Sequence, residues 1–131
     1  MPLRTQKMIY RHELQANPDT LYVFGDNLLR VGYGGQAGQM RGEPNAVGVA
    51  TKKAPGMRDK DFFTDDEHPE NVQSIIRDFL PVLLHLQEGR DVVFPADGIG
   101  TGLSELPIRA PNTHAFIEEY VDHLRECYPA T

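Results

Sequence analysis

The chain has 131 residues, of which 40% are hydrophobic, and its 13 basic and 19 acidic side chains give a formal net charge of −6. This length predicts one domain over residues 1–131, and the negative charge argues against a sequence-independent nucleic-acid binder, which needs a basic face. The single cysteine, Cys127, excludes an internal disulfide and a zinc site built on spaced cysteines. The sequence shows no signal peptide and no membrane span, so we expect a cytoplasmic protein that does not contact membranes.

Three apolar runs predict strands in chain order. The first covers residues 21–24, the second covers residues 46–53 and ends in two lysines, and the third lies in the segment RDVVFPADG. Five glycines between Gly32 and Gly42 follow the first strand, which indicates a loop or a helix entry where the backbone approaches something closely.

Two segments have apolar residues at helical spacing. The first runs from Val72 to Leu84, with Gly89 as the expected C′ residue and Pro81 expected to kink or split the helix. The second has an apolar stripe made of Ala115, Phe116, Tyr120, Val121 and Leu124, with Asn112 or Thr113 as the N-cap. Residues 57–69 are expected to form a long loop that could act as a lid.

The alternation of strands and helices predicts an α/β fold with a largely parallel sheet. In such sheets ligands bind beyond the carboxyl ends of the strands. Three segments should meet at that edge, namely residues 25–27, 51–53 and 97–104.

Two of the segments near this edge are rich in glycine. RVGYGGQAGQMRG, residues 30–42, and DGIGTGLS, residues 97–104, could each cradle a phosphate with backbone N–H groups, and together they would grip a diphosphate from both sides. A hydroxyl is available at Thr101. Neither loop matches the nucleoside-triphosphate or dinucleotide fingerprints. The alternative is that they are tight turns that allow close packing.

The polar residues at the strand ends could each bind a ligand or have a purely structural role. Asp26 and Asn27 could bind a purine edge or a ribose hydroxyl, or they could serve turn chemistry. One of Lys52 and Lys53 should face the site, since neighbouring strand residues point to opposite faces. Neither the acidic residues 59–67 nor the five histidines show metal-ligand spacing, so no metal and no cofactor is expected.

Three motifs in order resemble the macrodomain, an ADP-ribose-binding module, and in particular its branch of terminal ADP-ribose glycohydrolases. They are RVGYGGQA at residues 30–37, VGVATKKAP at residues 47–55 and GIGTGLSEL at residues 98–106. The chain is also similar to small phage and bacterial proteins that begin VFG(S/D)N. The macrodomain resemblance implies a three-layer α/β/α fold with a mixed, mostly parallel sheet, and binding of ADP-ribose or an ADP-ribosylated substrate.

The resemblance also implies roles for individual residues. Lys52 matches the lysine that attacks the anomeric carbon of the distal ribose, and Ser104 stands where the branch has its acid, so Glu105 or Asp97 would have to act as acid/base. The ligand-binding set would be Gly25, Asp26, Asn27, Arg30, Gly32, Tyr33, Gly34, Gly35, Gln36, Thr51, Gly98, Ile99, Gly100, Thr101, Gly102, Leu103 and Ser104.

Two other functions stay open from the sequence. One is a non-catalytic nucleotide- or protein-binding accessory module of phage type, which the serine at position 104 favours. The other is a small α/β enzyme that acts on a different phosphorylated substrate. The conjugated target could be protein, nucleic acid or a metabolite, so nucleic acid enters only as an ADP-ribosylated target.

Overall fold

The computed structural model describes residues 2–130, which form an α/β fold with a four-stranded parallel sheet and five helices. The strands are β1 (Leu3–Gln6), β2 (Leu21–Asn27), β3 (Ala46–Lys52) and β4 (Val92–Pro95). The helices are α1 (Arg11–Ala16), α2 (Ala37–Met40), α3 (His68–Gln87), α4 (Leu106–Arg109) and α5 (Pro111–Cys127). The three predicted strands are confirmed as β2, β3 and β4, whereas β1 and α1 were not predicted.

The strand order across the sheet is β1-β4-β2-β3. Every pairing between these strands is parallel. The expectation of a mixed sheet is therefore wrong for residues 2–130, where antiparallel pairing is limited to one isolated bridge between Lys52 and Phe62.

Alternating side chains of the strands enter two separate buried clusters. Leu21 and Val23 of β2 belong to a cluster that includes residues of α3 and α5. Tyr22 and Phe24 belong to a second cluster that includes residues of α1 and α2. The chain therefore leaves β2 toward α2 on one face of the sheet and leaves the neighbouring β4 toward α5 on the other. Connections that diverge from adjacent parallel strands open a crevice between them, which is where α/β sheets bind ligands.

Helix α3 runs without interruption from His68 to Gln87, so of the two outcomes expected at Pro81, a kink or a split, the split is wrong. Pro81 lies on the exposed face, where solvent can satisfy the carbonyl that loses its hydrogen bond. The expected C′ glycine is confirmed. Gly89 has φ +78°, its N–H donates to the Leu86 carbonyl at 2.9 Å, and the N–H of Arg90 donates to the His85 carbonyl at 3.2 Å.

Helix α5 begins at Pro111 with Ala110 as the N-cap, so neither expected cap residue is correct. The carboxylate of Asp65 instead accepts the N–H groups of Asn112 at 3.1 Å and Thr113 at 3.3 Å. A carboxylate from a distant segment thus satisfies the first amides of the helix.

Residues 57–69 are packed onto the body of the protein, unlike the expected long loop. They contain two 3-10 turns, Asp59–Asp61 and Asp65–Glu67, and the side chains of Phe62 and Phe63 are buried. The carbonyl of Asp61 accepts the N–H of Lys53 at 2.8 Å. These contacts fix the segment beside the end of β3. Along residues 2–130, no helix combines the length and the apolar character that crossing a bilayer requires.

Candidate functional site

A groove opens at the carboxyl edge of the sheet, between the loops that follow β2 and β4. It consists of a first cavity of about 360 Å³ and a second cavity of about 300 Å³. The first cavity is lined by Lys7, Met8, Gly25, Gly34, Gly35, Gln36, Pro95 and residues 97–104. The second cavity is lined by residues 25–27 and 31–34 together with Ala37, Arg41, Lys52, Pro55, Leu103 and Ser104. Because Gly25, Gly34, Leu103 and Ser104 line both, the two cavities adjoin.

The two glycine-rich loops approach each other closely across this groove. A Cβ on Gly34 would lie 2.7 Å from Cδ1 of Leu103, so a larger residue there would displace this exposed side chain. Gly100 has φ +85°, and a Cβ there would lie 2.8 Å from Cδ2 of Leu106. Glycine is therefore needed for packing at position 100, and the side chain of Leu103 lines both cavities.

Backbone amides of both loops are left without protein partners. Among residues 2–130, no acceptor is found for the N–H groups of residues 99–104, and the same holds for the N–H groups of residues 31–36. Ile99 and Gly100 are buried, whereas most residues of the two runs are exposed, so most of these amides are open to solvent or to a ligand. Anions can replace water as the acceptor where successive N–H groups line a concave surface. The groove therefore offers two runs of hydrogen-bond donors to a negatively charged ligand.

Asp26 lines the second cavity, and its carboxylate also holds the first loop in place. Its side chain is 4% exposed and pairs with the Arg41 guanidinium, with one contact at 2.5 Å and a second at 3.2 Å. Arg41 in turn donates to the carbonyl of Gly32 at 2.7 Å, which fixes the loop against β2. Gly48 leaves room for this pair, because a Cβ there would collide with the Asp26 carboxylate. Asn27 makes a turn, with its amide donating to the Val31 carbonyl at 2.8 Å.

Arg30 covers the free edge of β3 and lines neither cavity. Its guanidinium donates to both carboxylate oxygens of Asp78 at 2.7 and 2.9 Å and to the carbonyl of Gly48 at 3.1 Å. Asp78 also accepts the N–H of Ala50 at 2.8 Å. Arg30 and Asp78 thus occupy backbone groups that an edge strand would otherwise expose.

Gln36 and Tyr33 occupy different places in the first loop. The side-chain amide of Gln36 is fully used by the backbone of Ile9, whose N–H and carbonyl it binds at 3.0 Å each. This tie joins the loop after β2 to the loop after β1. Tyr33 lines the second cavity with 72% of its surface exposed, so its ring is free to contact a ligand.

Lys52 lines the second cavity and is nearly buried, with 5% of its surface exposed. Its Nζ donates to the carbonyl of Gly56 at 2.6 Å and lies 4.3 Å from the centre of the Phe62 ring. Burial lowers the pKa of Lys52 below its ordinary value, partly offset by the negative charges of Asp61 and Glu105. Lys53 points elsewhere and pairs with Glu67 at 2.5 Å. Of the two lysines, Lys52 is the one placed in the groove, as strand alternation requires.

The candidate acid/base residues are not placed together. Asp97 lines the first cavity, whereas Glu105 lines neither cavity and accepts a hydrogen bond from Arg109 Nε at 3.0 Å. The Ser104 hydroxyl lies 2.6 Å from Oγ1 of Thr51 at the junction of the cavities. The hydroxyl of Thr101 donates to the Asp97 carbonyl at 3.0 Å, so its proton is already used.

Seven residues that line the groove were not among the predicted catalytic or ligand-binding residues, namely Lys7, Met8, Val31, Ala37, Arg41, Pro55 and Pro95. Lys7 and Met8 belong to the loop after β1, a strand that sequence patterns missed, and Arg41 lies beyond the short helix α2. Within the described part of the chain, no group of three or more His, Cys, Asp or Glu side chains is placed to hold a metal ion.

The comparisons with known proteins give a family but no described activity. No curated protein and no solved structure matches this chain. A family of unknown function, DUF7831, matches residues 4–120, which is most of the sequence. The protein therefore belongs to the DUF7831 family.

Proposed function

We propose that this protein binds ADP-ribose or a related nucleotide diphosphate in the groove. The observation that carries this proposal is the pair of amide runs, residues 31–36 and 99–104, that have no acceptor among residues 2–130. A diphosphate placed over Gly25 would lie between these donors. Their N–H groups would stabilise its negative charge without a basic surface patch.

The size and division of the groove support a ligand with two ends. The cavities of about 360 and 300 Å³ adjoin at Gly25, as a diphosphate flanked by two nucleoside-sized groups would require. The helices on the two sides of the parallel sheet are compatible with the three-layer macrodomain-like arrangement, which remains part of this proposal.

Lys52 would assist hydrolysis of an ADP-ribosyl conjugate bound in this way. A buried amine with a lowered pKa is neutral more often than an exposed lysine, and a neutral amine can attack the anomeric carbon. The new C–N bond would form as the bond from that carbon to the conjugated group breaks, and water would then release the ribose and return the free amine. When protonated, the same group would stabilise developing negative charge. Asp97 is the candidate acid/base residue that lines the groove, since Arg109 binds Glu105.

A second candidate function is ligand binding without turnover. The observation that favours it is the separation of the reactive groups, because Lys52 lines the second cavity and Asp97 lines the first. Ser104 cannot replace an acid, since an aliphatic hydroxyl is too weakly acidic to exchange a proton near neutral pH.

The proposal is tested first by calorimetry and thermal unfolding with ADP-ribose, NAD, ADP and AMP. A ligand at 100 times its dissociation constant stabilises the fold by about 2.7 kcal/mol. We expect ADP-ribose and ADP to bind much more tightly than AMP, because AMP lacks the diphosphate. Equal binding of AMP, or no binding of any of the four at millimolar concentration, would contradict the proposal.

Turnover is tested with the Lys52→Ala variant on ADP-ribosylated peptide and nucleotide substrates. We expect this variant to lose product formation while it keeps most of its ADP-ribose affinity. Lys53→Ala is the matched control, because Lys53 is the neighbouring lysine and pairs with Glu67 outside the groove. Binding by the unmodified protein without product from any conjugate would favour the non-catalytic function.

A further inference from the structure

Arg109 binds the carboxylate of Glu105 and packs on the same aromatic ring as Lys52. From its place at the end of α4, Arg109 donates through Nε to Glu105 at 3.0 Å and through Nη1 to Asp59 at 2.9 Å. Glu105 has φ +49°, an uncommon backbone conformation for a residue with a side chain. The Glu105 carboxylate is bound by Arg109, and Glu105 lines neither cavity of the groove.

The ring of Phe62 connects Arg109 with Lys52. Phe62 is fully buried, and its ring centre lies 3.8 Å from Cζ of Arg109 and 4.3 Å from Nζ of Lys52. Both cations are within the range in which an aromatic ring attracts positive charge. Two like charges gathered at one ring also disfavour each other, which acts against protonation of the lysine because the guanidinium stays charged.

The other acidic group near Lys52 is also engaged. Asp61 accepts the backbone N–H of Arg58 at 3.1 Å and lies 3.5 Å from Arg58 Nε. The charged groups that act on Lys52 are thus Asp61, Glu105 and Arg109, and each carboxylate has an arginine beside it. Within residues 2–130, Lys52 forms no ion pair and donates to the neutral carbonyl of Gly56.

We propose that Arg109 is a positioning residue that keeps the Lys52 amine without a carboxylate partner, by holding Glu105 and by sharing the Phe62 ring. A lysine that gained an acidic neighbour would have a higher pKa and would be protonated more of the time. The catalytic meaning of this inference rests on the proposed function, but the protonation of Lys52 is a property of the ligand-free protein.

The test measures the Lys52 pKa by NMR titration of its side-chain Cε in the ligand-free protein. We expect Arg109→Gln to raise this pKa, because Glu105 is released and a positive charge is removed. The rate of reductive methylation of Lys52 at a pH below its pKa should fall roughly tenfold for each pKa unit gained.

A double-mutant cycle separates the two parts of the proposal. Glu105→Gln should lower the Lys52 pKa more in the Arg109→Gln background than in the wild type, where Arg109 already holds the carboxylate. If Arg109→Gln does not fold, Arg109→Lys replaces it in the same cycle, since lysine keeps the charge but cannot bind Glu105 and Asp59 with a planar fork.

An Arg109 variant that melts cooperatively but has an unchanged or lower Lys52 pKa would overturn the inference. Equal effects of Glu105→Gln in the two backgrounds would overturn the part assigned to Glu105. These outcomes are independent of ligand binding. A failure of ADP-ribose to bind would therefore leave the Lys52 result standing, and an unchanged Lys52 pKa would leave the binding proposal standing.

Discussion

Replacing Gly25 by alanine should separate ligand affinity from stability. Gly25 ends the apolar part of β2 and lines both cavities. A Cβ there would lie 3.4 Å from the Gly100 nitrogen, 3.5 Å from Thr51 Oγ1 and 3.8 Å from Ile99 Cβ, which are ordinary contacts. The backbone of Gly25 is not left-handed, so alanine brings no strain and should change the free energy of unfolding by about 1 kcal/mol or less.

The expected loss of affinity follows from the amide that the methyl group covers. The N–H of Gly100 has no acceptor among residues 2–130, and the added carbon would lie against its nitrogen. A hydrogen bond to a charged group contributes about 1.5–3 kcal/mol. Losing one such bond to a phosphate oxygen should weaken ADP-ribose binding by about 10- to 150-fold.

Calorimetry with ADP-ribose on the wild type and two variants checks this prediction. Gly102→Ala is the comparison on the same loop, because a Cβ at Gly102 meets no protein atom within 4 Å and so leaves the Gly100 amide uncovered. We expect Gly25→Ala to lose much more affinity than Gly102→Ala while both melt near the wild-type temperature. Wild-type affinity in a folded Gly25→Ala protein would refute the assignment of the Gly100 amide as a phosphate donor.

Two further predictions concern the buried charges. Asp26→Ala leaves Arg41 without its carboxylate, which should cost about 3 kcal/mol and, for 131 residues, lower the melting temperature by roughly 10 °C. Thermal unfolding followed by circular dichroism checks this. A melting temperature that falls by less than about 3 °C would show that the carbonyls around Arg41 stabilise its charge without Asp26. Burial lowers the pKa of Lys52 in the folded protein below its ordinary value of 10.5. Between the lowered pKa and 10.5, the unfolded chain therefore binds more protons than the folded protein. The free energy of unfolding of the wild type should thus rise, relative to that of Lys52→Met, as the pH rises through this window. Urea unfolding at several pH values measures the difference in the free energy of unfolding between the wild type and Lys52→Met. A difference that is the same at every pH would contradict the prediction.

The strands and helices that could be predicted from the sequence are those that bury enough residues to produce a recognisable apolar pattern. All four residues of β4 are buried, and its apolar run was recognised. In β1, by contrast, Leu3 is the one buried residue, and in α1 the one buried residue is Leu14. An edge strand and a six-residue helix that each bury one side chain leave no period to detect.

The groove was predicted in part, for a related reason. Glycine spacing marked both loops, because close approach of the backbone restricts the residue type locally. The partner of Arg30 could not be found in this way, since Asp78 lies 48 residues further along the chain. Asp65 could not be predicted as the residue that caps α5 for the same reason, since it lies 47 residues before Asn112 in the chain. Side chains whose roles depend on long-range neighbours need the fold before they can be assigned.

The covered edge of β3 has a consequence for how this protein can meet other proteins. Many domains recruit an extended peptide by adding it as a further strand to an open sheet. Here the carbonyl of Gly48 and the N–H of Ala50 already bind Arg30 and Asp78, and the bridge from Lys52 to Phe62 occupies the end of the strand. An incoming strand would have to displace this ion pair first, which disfavours both strand-adding ligands and edge-to-edge aggregation of copies of the chain at β3.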